Sequence, residues 1–326
     1  MRNPRRRSGV TEGFGILALL LVGIVGICIV LGIFIVRLSK RSPLNRYTAV
    51  ITGNPFLVVS WNRSDDSIIA ISIPATVRID GAYGYGTYSL EALHKLDIMD
   101  KRDGKLLLTS LSDALGYPVD TYLDMSTGKR LLTNDTRSDF RDVWSFSHVF
   151  NSILGQRGSL PPVEFFGLVK TAMSVRDEKL QTFDLGLIPG VIVDEQLPDQ
   201  TTADTLDADR VADVVTGLFE DTDIRQERLR VALFNTTSMQ GIGQKAAKLL
   251  STMGMFIVSV TNDSTERSTC LVRTKKEFEQ SKTVRVIRDL YRCSLQSTQD
   301  PLRSDVDVYI GYDFASRYEP FGQEPE

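Results

Sequence analysis

The 326-residue chain has two histidines (His94 and His148), three cysteines and two tryptophans. Two histidines leave little material for a His-rich metal centre or a triad built on an imidazole base, while serine–lysine and carboxylate chemistry stay open. Cys28 falls in a long apolar run, so the rest of the chain offers only Cys270 and Cys293, too few for a disulfide scaffold. Those two either form one bridge in an oxidising compartment or are unrelated buried thiols, because spacing does not fix a Cα distance. An excess of positive charge is missing too. Beyond residue 46 there are 30 basic against 40 acidic residues. Non-specific nucleic-acid binding needs the opposite balance, so no nucleic-acid partner is expected. Low-complexity tracts and internal repeats are also missing.

What is present begins with residues 14–36, FGILALLLVGIVGICIVLGIFIV, which hold no charge, Asn, Gln or Pro. A bilayer core about 30 Å thick is crossed by roughly 20 helical residues, so this run predicts one membrane span. It is longer than a signal-peptide core and passes directly into Arg37-Leu-Ser-Lys40-Arg41, which predicts an uncleaved anchor. Basic residues flank it on both sides, but Arg2, Arg5, Arg6 and Arg7 cluster more tightly upstream. Long following domains translocate largely regardless of charge. The expectation is a cell-membrane protein with residues 1–13 as a cytoplasmic basic tail, 14–36 spanning, 37–46 a tether, and the bulk outside.

The remaining 280 or so residues suffice for two domains. Runs 47–61 and 67–79 are rich in β-branched residues and flank Asn62-Arg-Ser-Asp-Asp66, which predicts a hairpin with a five-residue connection. Residues 68–73 are almost wholly apolar, as in a strand buried on both faces. Residues 105–115 carry leucines at helical spacing and stop at Gly116, with Pro118 following. Helices are also expected over 89–96, 143–154, 164–174 and 208–219, and strands over 119–125, 181–187 and 191–193. The Arg/Asp-rich approach to residue 143 reads as a solvated loop. The acidic stretch 220–228 is the expected domain boundary. Beyond it, strands at 229–235, 256–261, 269–273 and 306–312 alternate with helices at 243–253 and 275–291, a small layered α/β module.

Gly241-Ile-Gly243 opens a helix after a strand, and Asp263 follows the next strand. Those are parts of a dinucleotide fingerprint. The strand-to-glycine loop, Asn235-Thr-Thr-Ser-Met-Gln, is too long for its tight turn, so a glycine-opened helix without a nucleotide role is the reading preferred.

The same stretch carries a resemblance. Val231-Ala-Leu-Phe-Asn235-Thr-Thr, Gly241, Ala246-Ala247, Leu250 and Gly254, then Ile257-Val-Ser-Val260 and the closing Asp307-Val-Tyr-Ile-Gly-Tyr-Asp313-Phe, resemble the LytR C-terminal domain over about 228–315. Residues 47–220 are identified in turn as LytR-CpsA-Psr-like. The likeness runs through Phe56-Leu-Val-Val-Ser60, Ile71-Ser-Ile-Pro74, the Gly/Tyr-rich loop 81–86 and Leu115-Gly-Tyr-Pro-Val-Asp-Thr-Tyr122. The resemblance implies a membrane helix followed by two α/β domains. It also implies an extracytoplasmic envelope protein that binds a polyprenyl-phosphate-linked glycan. Active members transfer that glycan to the cell wall with Mg²⁺.

The departures concern chemistry. After Ile-Pro the family carries Arg-Asp-Thr; here stand Ala75, Thr76 and Val77, and the Asp expected near Asn54-Pro55 is absent. Neither Ala nor Thr offers a guanidinium fork or a metal carboxylate. Arg78 lies three residues late and at opposite strand parity to Ala75. Arg78, Arg137 and Arg141 are therefore the candidate ligand-binding residues, no catalytic residue and no metal site are assigned, and Cys270 with Cys293 is the possible disulfide. The expected function is binding of a wall or lipid-linked glycan, or of an envelope partner, without catalysis and without a cofactor. The alternative is an active phosphotransferase using Mg²⁺ and substitute residues.

Overall fold

The computed structural model describes residues 44–124, 135–144, 157–158, 162–197 and 200–318. The run 14–36 lies outside them, as does most of the helix expected over 143–154. Among the described residues no helix is long and apolar enough to cross a membrane. The architecture is mixed α/β, with three sheets.

The largest sheet is built from β1 (Arg46–Thr52), β2 (Phe56–Asn62), β3 (Ser67–Ile73), β6 (Thr121–Asp124), β7 (Arg157–Gly158) and β8 (Leu180–Asp184), in the order β7-β6-β1-β2-β3-β8. Strand alternation explains why it is covered on both faces. Val50, Phe56, Val58, Ile69, Ile71 and Ile73 feed one core. Their neighbours Ala49, Ile51, Leu57, Val59, Ile68 and Ala70 feed another. The first core is closed by α1 (Leu90–Met99) and α2 (Lys105–Leu115), the second by α3 (Thr136–Val143) and α4 (Pro162–Ser174).

Three expectations need correction here. The run 47–61 is two strands, because Gly53-Asn54-Pro55 turns the chain back so that β1 and β2 pair antiparallel. The run 67–79 is also two pieces: β3 ends at Ile73, and β4 (Arg78–Gly81) joins a second sheet ordered β5-β4-β10-β9. Its partners are β5 (Gly86–Ser89), β9 (Ile192–Gln196) and β10 (Thr202–Leu206). Residues 135–143 are not a loop. Asp135 caps α3 by accepting from the amides of Arg137 and Ser138, and Phe140 and Val143 anchor the helix in the core. That local capping signal outweighs the polar composition.

The third sheet is ordered β12-β11-β15-β13-β14, from β11 (Arg230–Asn235), β12 (Phe256–Asn262), β13 (Leu271–Thr274), β14 (Ser294–Ser297) and β15 (Val306–Ile310). Helices α7 (Ile242–Thr252) and α8 (Lys282–Tyr291) pack on it. A bridge between Cys270 and Cys293, with Cα atoms 4.4 Å apart, ties the approach to β13 to the end of α8. The strand β14, which follows Cys293, was not expected from the sequence.

Residues 220–228 hold α6 (Thr222–Glu227), and its capping residue Asp221 is buried. The Asp221 carboxylate accepts from the Asn45 amide at 3.2 Å and pairs with Lys282 Nζ at 2.7 Å. Tyr117 stacks on Phe219 at 4.4 Å just before this helix. One apolar core runs from Leu111 and Leu115 through Phe219 and Ile224 to Val231 and Leu250.

Candidate functional site

Strands β6, β1, β3 and β8 point the same way: β1 is parallel to β6, β3 to β8, and antiparallel β2 lies between β1 and β3. Their carboxyl ends bring Asp124, Thr52, Pro74–Thr76 and Asp184 to one edge of the sheet, the usual place for a ligand in an open α/β sheet. This edge is where the family motif positions fall.

Ala75 and Val77 are buried in the core there, while Thr76 is exposed. The turn is tied down by hydrogen bonds from the Leu90 and Glu91 amides, at the start of α1, to the carbonyls of Val77 and Ala75. A longer side chain at 75 would enter packed apolar space. At the neighbouring strand ends, Thr52 Oγ1 donates to Asp124 at 3.0 Å, and Asp184 accepts from the Gly186 amide at 2.9 Å. Behind them, His94 of α1 lies between the rings of Phe56 and Tyr122, with Nε2 3.8 Å from Asp124. His94 is 6% exposed, and among the described residues neither ring nitrogen has a hydrogen-bond partner. A buried imidazole without a partner costs free energy, which marks this corner as a place where a polar ligand atom would gain. Sequence reasoning missed His94: only its rarity and its place on a helix after the glycine-rich loop singled it out.

The predicted arginines are placed as follows. Arg137 and Arg141 come together on one face of α3, where both meet Asp177, at 3.5 and 2.9 Å. Arg141 also donates to the Val175 carbonyl at 2.7 Å and Arg137 to that of Leu180 at 3.4 Å. They clamp the segment before β8. Arg78 is apart from them on β4, donating to the Thr87 carbonyl at 2.8 Å, with its other terminal nitrogen buried and unpartnered. The strand-parity argument for Arg78 does not apply, because the chain changes sheets between Ala75 and Arg78. Asp66 accepts from Thr171 at 3.4 Å and from the Trp61 indole at 3.5 Å.

Among the described residues no group of three or more His, Cys, Asp or Glu is placed to hold a metal ion. Mg²⁺ is usually held by one or two carboxylates together with substrate phosphates and waters. At the strand ends, Asp124 takes a threonine hydroxyl and Asp184 a backbone amide, and the positions that the resemblance implies to be acidic are Asn54 and Thr76.

The glycine turn before α7 has a packing explanation. A Cβ on Gly243 would lie 2.8 Å from Val260 Cγ1, so glycine lets α7 approach β12. The preceding loop is closed on itself, with the Asn235 side chain bonded to the Met239 carbonyl and the Thr237 amide. Asp263 is engaged with the Thr265 amide.

The third sheet, with helices on parallel strands and a cysteine bridge, defines a small α/β domain. The family model described as LytR cell envelope-related transcriptional attenuator matches residues 228–314, so this part of the chain is a LytR C-terminal domain. The structural neighbours of the chain are LytR-CPS2A-psr family proteins. The Bacillus subtilis protein YvhJ is 13% identical, over 52% of this chain and 94% of its own, with a TM-score of 0.39. TagT, in a structure with bound octaprenyl pyrophosphate lipid, is 13% identical over 54% of this chain and 90% of its own, with a TM-score of 0.37. TagV of B. subtilis is 12% identical over 54% and 95%, with a TM-score of 0.37. No curated protein matches the chain.

Proposed function

We propose that this chain is a membrane-tethered, extracytoplasmic envelope protein that binds a lipid-linked or wall glycan and does not transfer it. The LytR C-terminal domain at 228–314 supports the envelope assignment. The observation that carries the loss of chemistry is Ala75, 2% exposed in the apolar core where the family resemblance calls for a phosphate-binding Arg. Pyrophosphate chemistry needs preorganised cations at the leaving group. Arg137 and Arg141 are already engaged by Asp177, and Arg78 has changed sheets. An apolar tail requires none of those charges.

The test is binding of a prenyl monophosphate to the full chain in detergent, read by tryptophan fluorescence. Saturable binding that a short-chain phosphate does not compete away is the expected result. No binding of lipid or of purified wall glycan would overturn the proposal. Topology is read separately: protease added to intact cells with a permeabilised outer layer should digest the bulk of the chain. Protection until the membrane is lysed would reverse the orientation.

A further inference from the structure

A second concave site begins at β4, just after the motif positions, and draws its other residues from farther along the chain. A cleft of about 220 Å³ opens between β4, α2, the start of α5 (Ala208–Val215), α7 and Tyr318. Its apolar floor includes Ala82, Leu206 and Leu249, and its polar groups are Asp80, Asp113, Lys245, Lys248 and Tyr318. The volume is below the range of about 300–1,000 Å³ typical of drug-sized ligands and suits a single ring.

The charges in this cleft are not paired off. Lys245 and Lys248, three residues apart on α7, present ammonium groups to the same side. Lys245 sits 4.5 Å from the centre of the Tyr318 ring, and neither lysine forms an ion pair among the described residues. Lys248 has one hydrogen bond, to the Ala208 carbonyl at 3.3 Å. Burial lowers its pKa, and the nearby charge of Lys245 lowers it further, while Asp209 and Asp113 act against both. Gly116 lies opposite, and a Cβ there would come 2.9 Å from Lys248 Cε, a movable part of that side chain. Across the cleft, Tyr318 donates to Asp113 at 2.8 Å. Burial raises the Asp113 pKa in spite of that bond and of Lys245, Arg317 and Lys248 nearby.

Two neighbouring ammonium groups repel each other; Asp113 and Asp209 offset this in part at Lys248, and an anion seated between the two amines lowers what remains. The carboxylates of Asp80 and Asp113 and the tyrosine hydroxyl are groups that hydroxyls can satisfy. We propose that this cleft binds one acid-bearing hexose unit, its phosphate or carboxylate on Lys245 and Lys248 and its hydroxyls on Asp80 and Asp113. That the acid is a sugar acid rests on the glycan reading above; the anion site itself does not.

The experiment is calorimetric titration of the full chain in detergent with glucose 6-phosphate, glucuronic acid, glucose and inorganic phosphate. At least one acidic sugar should bind about tenfold or more tightly than glucose and than phosphate, and which one does identifies the acid. The K245Q/K248Q variant should lose that binding about tenfold or more, as expected for removing charge-assisted hydrogen bonds. Lys245 is exposed, so K245Q alone gives a folded control with a smaller loss in the same direction. Glucose binding as tightly as the acids, phosphate binding as tightly as the sugars, no binding up to about 10 mM, or unchanged affinity in the double variant would each overturn the proposal. Prenyl-phosphate binding measured on the unsubstituted chain separates the two readings. If it is seen while no sugar acid binds that chain, the cleft assignment falls and the envelope proposal stands.

Discussion

Two pairs of cations at helical spacing meet opposite fates in this molecule. Arg137 and Arg141 converge on Asp177 and on the carbonyls of Val175 and Leu180, so their charge is spent on holding the chain before β8. Lys245 and Lys248 face a cleft with no ion pair among the described residues. In sequence, the first pair reads as part of a solvated loop and the second as basic residues on a helix. Whether a cation is available to a ligand is decided by what the neighbouring segment brings. A charged side chain is therefore weak evidence of a site until its partners are known.

The contrast can be pressed hardest at Ala75, where the family would place a charge and this fold leaves no room. Ala75→Arg should lower unfolding free energy by about 5 kcal/mol, the scale of an uncompensated buried ion with overpacking. Urea denaturation measures this; a near-neutral variant would mean that the position opens to solvent. Asp221→Ala comes next. It leaves Lys282, 10% exposed, with Asp223 as its remaining ion-pair partner and removes the cap of α6, for an expected loss of about 2–4 kcal/mol. Reducing the Cys270–Cys293 bridge, which closes a loop of sequence separation 23, should cost about 3 kcal/mol. Alkylation of unfolded, unreduced protein should label neither cysteine, whereas full labelling of both would show there is no bridge. The smallest effect is expected for Arg141→Ala, at about 1 kcal/mol or less, because Asp177 is 72% exposed and water replaces much of the pair. A loss as large as that of Asp221→Ala would show the clamp to be as critical as the buried pair.

A pH dependence follows from Asp223. The hydrogen bond from Lys282 holds its carboxyl below the ordinary carboxylate value. The contribution is thus present above the unfolded pKa and is lost as pH falls through the lowered folded one. Asp223→Asn should flatten that acid limb slightly while leaving stability near neutral pH little changed.

The sequence was most legible where one local rule decides. The β3 run is apolar on both faces because it is a central strand between two cores. Gly116 stops α2 in the left-handed conformation, φ 65°. The closing strand expected over 306–312 is present as Val306–Ile310, and it lies beside β11. Legibility failed where a short signal hid inside a stronger one. Gly53-Asn54-Pro55 interrupts a β-branched run too briefly to break its pattern, and α3 has only Phe140 and Val143 to mark its buried side. Both sites were beyond local reading for another reason. Thr52, His94 and Asp124 meet only through strand register and helix packing, and the cleft collects residues from near 80, 113, 206, 245 and 318.

The central claim is that the carboxyl edge of the large sheet has lost the charges needed for phosphoryl chemistry. Its most direct test is phosphate release from a prenyl pyrophosphate with Mg²⁺ or Mn²⁺, run beside an active LytR-CpsA-Psr enzyme. Removing one preorganised donor typically costs about 10²–10³ in rate, and here Ala75 stands where the resemblance implies an Arg, with Asn54 and Thr76 at the positions it implies to be acidic. The account predicts no detectable metal-dependent release. Turnover within about tenfold of the active enzyme, well inside the loss set by a single donor, would contradict it and establish the chain as a phosphotransferase.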